Sequence, residues 1–167
     1  NKQTLAAGIL RAQRLFKDAL KRSPDAVLLR AAATQAVWAG QSEFAFSLAQ
    51  QLQNLPIRDN DISGHISQVA NQRHASFIAG LVQLHKLRLM VNTTDLAKER
   101  DRFNTAYQAL VVNAGEDSWE AQTLSGMTSI LVGKPDAGIK TLTRVAPDSS
   151  DDWQALINSW LGLAYWQ

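Results

Sequence analysis

Three histidines, His65, His74 and His85, are the first residues in this chain that could carry chemistry. An imidazole can ligate a metal or move a proton near neutral pH. His74 and His85 fall on one face of a single helical run. Eleven residues separate them, which at a helical rise is about 16 Å, far beyond the span of one metal site. They are expected to be structural or surface histidines. The stretch "DNDISGH" places Asp59, Asp61, Ser63 and Gly64 at the early positions of a calcium loop. The twelfth position should be a bidentate Glu. It is Ala70 here. An Asp/Asn-rich turn capping the next helix is the expectation.

"GMTSILVGKP" contains a Gly-Lys pair, but Pro135 stands where a phosphate-binding loop needs Ser or Thr. It reads as a helix exit. Asn92-Thr93-Thr94 matches a glycosylation acceptor, which matters only in a eukaryotic secreted protein. Cysteine is absent, which removes disulfides, thiolate catalysis and Cys-ligated zinc. That composition suits the cytoplasm and the bacterial periplasm alike. No Ser-His-Asp set, paired carboxylates or glycine-rich cofactor loop stands out. No enzyme activity, metal or cofactor is expected.

Charge narrows the partners further. The net charge is +2 over 167 residues, yet residues 1–30 carry seven Lys/Arg against Asp18 and Asp25. Residues 103–167 carry Lys134, Lys140 and Arg144 against seven acids. Such a basic excess is thin for nucleic acid, which needs a concentrated basic face. Solvated faces, a polar partner, or stacking of the basic end of one molecule on the acidic end of another remain. Charged and polar residues interrupt every apolar run well before 18 residues, so no membrane span is expected.

The elements that must position these residues are helices. Apolar residues recur at helical spacing and strand signals are nearly missing. Leu5, Ile9, Ala12, Leu15, Phe16, Ala19 and Leu20 form one stripe over residues 3–22. Ser23-Pro24-Asp25 ends that helix and opens the next. Further helices are predicted over 25–39, 42–54, 64–90, 95–113, 117–132, 135–145 and 151–167. Gly40 and Gly133 mark exits. "RDNDISGH" is a loop, Thr94 or Asp95 a cap, and Asp117 with Glu120 a capping box. Eight helices joined by short turns give an all-α fold in which sequential helices are antiparallel neighbours.

Small residues recur at helix centres: Ala33, Gly80, Gly126 and Gly162. Each lets a neighbouring helix approach closely. Leu161-Gly162-x-x-Tyr165 follows, with Gly40 before Ala45, Ala49 and Leu52, with Gly133 before Gly138, Leu142 and Val145, and with Pro24, Pro56 and Pro147 near unit ends. On these residues the chain resembles the tetratricopeptide repeat (TPR) family, with Asn158 where the leading Trp would stand. The small-residue centres lie 47, 46 and 36 residues apart, against a family period of about 34. A HEAT-like or other irregular solenoid and a compact bundle are the alternatives. The resemblance implies antiparallel hairpins stacked as a right-handed α-solenoid, one domain over residues 1–167, as a fragment of a longer chain. Helices 3–22 and 151–167 then stand as half-pairs.

The resemblance also implies a groove lined by the first helix of each pair. Aligned on the central small residue, its positions are Arg30, Thr34, Val37 and Trp38, then His74, Phe77, Leu81 and His85. Glu120, Thr123 and Met127 follow in the third unit, and Ser159, Leu163 and Trp166 in the last. Trp and Arg are common binding hot spots. The alternative for Trp38, Phe77 and Trp166 is packing between repeats. Only Arg30 matches part of the family's carboxylate clamp. The expected function is a non-catalytic protein–protein interaction module, a scaffold that takes a protein or peptide in the groove. The alternatives are a ligand-sensing domain of a signalling or transcription regulator, with an enclosed pocket, and self-association through the apolar C-terminal helix.

Overall fold

The computed structural model describes residues 2–22, 25–56, 62–89 and 93–166. Among these are eight α-helices and no strand. They are α1 (Lys2–Arg22), α2 (Ala26–Trp38), α3 (Ser42–Gln53), α4 (Ile62–Leu89), α5 (Thr93–Ala114), α6 (Trp119–Leu131), α7 (Pro135–Val145) and α8 (Asp151–Trp166). A 3₁₀ turn, Ala146–Asp148, joins α7 to α8. The all-α architecture is therefore as the periodicity predicts.

Local chemistry explains most of the boundaries. Asp25 is the N-cap of α2, and its carboxylate accepts from the Val27 N–H at 2.6 Å and the Leu28 N–H at 3.4 Å. These are two of the four amides that the first turn leaves without a helical partner. α7 opens on Pro135, which has no amide proton to leave unpaired. α2 and α6 end alike. Gly40 and Gly133 adopt φ of 68° and 77°, the left-handed conformation that a side chain disfavours. The Gln41 N–H then reaches back to the Ala36 carbonyl and the Lys134 N–H to that of Ser129, both at 2.9 Å, closing each helix in a Schellman motif.

Two boundary expectations need correction. The N-cap of α6 is Ser118, whose hydroxyl accepts from the Ala121 N–H at 3.3 Å, not a box made by Asp117 and Glu120. With Ser118 as N-cap, Glu120 falls at the second helical position and not at the third, where a capping box needs its acid. The loop expected over "RDNDISGH" is also shorter, because α4 already begins at Ile62. Its Asp59 and Asp61 lie outside the described residues, as does Asn92 of the glycosylation pattern.

The chain divides into two compact units, residues 1–82 and 83–167, with the division inside α4. In the first unit α2 and α3 pack as a hairpin and α1 lies against α2. Its buried residues include Leu29, Ala33, Leu48, Leu52, Phe77 and Ile78. In the second unit α6 and α7 form the hairpin, α5 packs on α6, and α8 packs on α7 and touches α6. Leu110, Leu124, Met127, Ile130, Leu142 and Ile157 are fully buried there. Each such side chain contributes about 1.5–3 kcal/mol relative to exposure, more than the ~1 kcal/mol of a cap. Core burial thus outweighs capping in both units.

The expectation of close approach at small residues holds at Gly126. A Cβ there would stand 2.8 Å from Leu142 Cδ2, and one at Gly138 would stand 2.8 Å from the Gly126 carbonyl oxygen and overlap Ile130. α6 and α7 therefore meet nearly backbone to backbone. At Gly162 the expectation fails. Among the described residues, a Cβ there meets nothing within 4 Å.

Candidate functional site

Arg30, Thr34 and Trp38 are spaced four apart on α2, so they share one face. Thr34 is buried, Arg30 half-buried, and Trp38 is 42% exposed at the helix end. Across from Thr34 stands His74 of α4, with its Nε2 3.4 Å from the Thr34 hydroxyl. Burial holds the His74 imidazole down at about 4, helped by the positive charge of Arg30 and opposed by a hydrogen bond with the Arg30 backbone. The ring is therefore neutral at neutral pH. It serves as a fixed hydrogen-bonding group behind the α2 surface.

The other expected groove positions are distributed differently. Phe77, Leu81, Thr123, Met127 and Glu120 are buried. Phe77 and Met127 belong to the packed cores, the first in one unit and the second in the other. The Thr123 hydroxyl is buried without a hydrogen-bond partner among the described residues. Val37 and Leu163 are half-buried, whereas His85, Ser159 and Trp166 are exposed. Of the nine leading candidates, Arg30, Thr34 and His74 come together, with Trp38 one turn further along α2. Trp166, 87% exposed, lies in the last turn of α8.

Two clefts emerge that residue spacing alone does not single out. The first, about 540 Å³, opens between α1 and α3 and is lined by Lys17, Lys21, Glu43, Phe44, Ser47 and Leu48, with Gln51. Lys17 Nζ sits 5.2 Å from the centre of the Phe44 ring, within cation–π range. The only sequence signal for it was the density of Lys and Arg in α1. The second cleft, about 230 Å³, lies between α5 and α6 and includes Phe103, Tyr107, Ser125, Ser129 and Lys134. Phe103 and Tyr107 stack at 6.1 Å. The Tyr107 phenol is pushed up by burial and by the Glu116 carboxylate, and a hydrogen bond with Ser125 opposes this. It stays protonated at neutral pH.

Among the described residues, no group of three or more His, Asp or Glu could hold a metal ion. No helix described is long and apolar enough to cross a membrane. What the molecule offers is open, mixed polar and aromatic surface on helices arranged in a repeat-like series of hairpins. No protein-family model matches the chain, and no curated protein and no solved structure matches it either.

Proposed function

We propose that this chain is a non-catalytic protein–protein interaction module, a TPR-like helical scaffold that takes a protein or peptide on the α2 surface. The carrying observation is the cluster on that surface. Trp38, 42% exposed, stands two turns along α2 from half-buried Arg30, and both rise from a helix that meets His74 through Thr34. Trp supplies apolar area and Arg supplies directional donors. The glycine crossing of α6 and α7 supports the hairpin-repeat reading, since small central residues of that kind join the two helices of a repeat. The two clefts described above are open to solvent, which favours a docked chain over an enclosed small ligand.

Affinity capture tests the proposal, with the parent protein run beside an Arg30→Ala/Trp38→Ala version of equal helicity. A protein retained by the parent and lost from the variant supports the α2 surface. Equal retention by both overturns it.

A further inference from the structure

We draw no further inference here: the strongest candidate, the open cleft between α5 and α6 lined by Phe103, Tyr107 and Lys134, carries nothing because nothing in the structure shows what fills it.

Discussion

The α2–α3 and α6–α7 hairpins solve one problem in two ways. Both join antiparallel helices through a Schellman turn closed by a glycine, Gly40 in one and Gly133 in the other. Their interfaces differ. α2 and α3 present buried alanines, Ala32, Ala33 and Ala36 from one helix and Ala45 and Ala49 from the other. α6 and α7 use Gly126 and Gly138, with no room for even a methyl group at either without movement. An alanine interface gains side-chain contact and helix propensity. A glycine crossing gives up about 1 kcal/mol of propensity per residue and recovers it through backbone proximity and the packing of Leu142 and Ile130.

The largest test of that contrast is Gly138→Leu. Its side chain would have to displace Ile130 and the Gly126 backbone, and overpacking of this kind should cost about 3 kcal/mol. Urea unfolding followed by circular dichroism measures it. A cost under about 1 kcal/mol would mean that α6 and α7 are not locked together by the glycines.

Next in size is a pH effect confined to the first unit. His74 is held at about 4 in the fold against 6.5 for the ordinary group. The unfolded chain therefore binds a proton first as pH falls. Stability is full above about pH 6.5 and is lost as pH drops toward about 4, by roughly 2 kcal/mol at pH 4.5. Hydrogen exchange should show amides of α2 losing protection before those of α6 to α8. His74→Gln should flatten that pH dependence. An unchanged profile in the variant would assign the acid sensitivity to other groups.

Ala33→Gly is the reverse of the first substitution. It should cost about 1 kcal/mol through lost propensity and a lost methyl contact. If it cost as much as Gly138→Leu, the two crossings would be equally intolerant and the contrast would fail. The smallest effects belong to the caps. Asp25→Ala removes two hydrogen bonds from first-turn amides, whereas Ser118→Ala removes one such bond and the one its hydroxyl donates to the Gly115 carbonyl. Losses of about 1 and about 0.5 kcal/mol are expected, read as shifts in the thermal midpoint.

Legibility followed the range of the physics involved. Helices from 25–39 through 151–167 were readable because capping, proline placement and apolar spacing act within one or two turns. α2 with α3, and α6 with α7, were readable as pairs because short turns leave no other neighbour. Phe77 and Glu120 illustrate the limit. Spacing places each on a helix face, but only the neighbours of that face determine whether it is buried or open. The α1–α3 cleft was hidden for a related reason, since Lys17 and Phe44 are brought together by helices that are not paired in sequence.

The sequence alone determined the all-α class, the helix boundaries to within a few residues and the left-handed glycines that end α2 and α6. These follow from backbone sterics and hydrogen bonding between near neighbours. Tertiary structure decided that the chain divides within α4, that His74 meets Thr34 across forty residues, and that Gly126 is covered while Gly162 is bare. Those outcomes depend on which faces meet in space. A local pattern can narrow that choice but leaves several packings open.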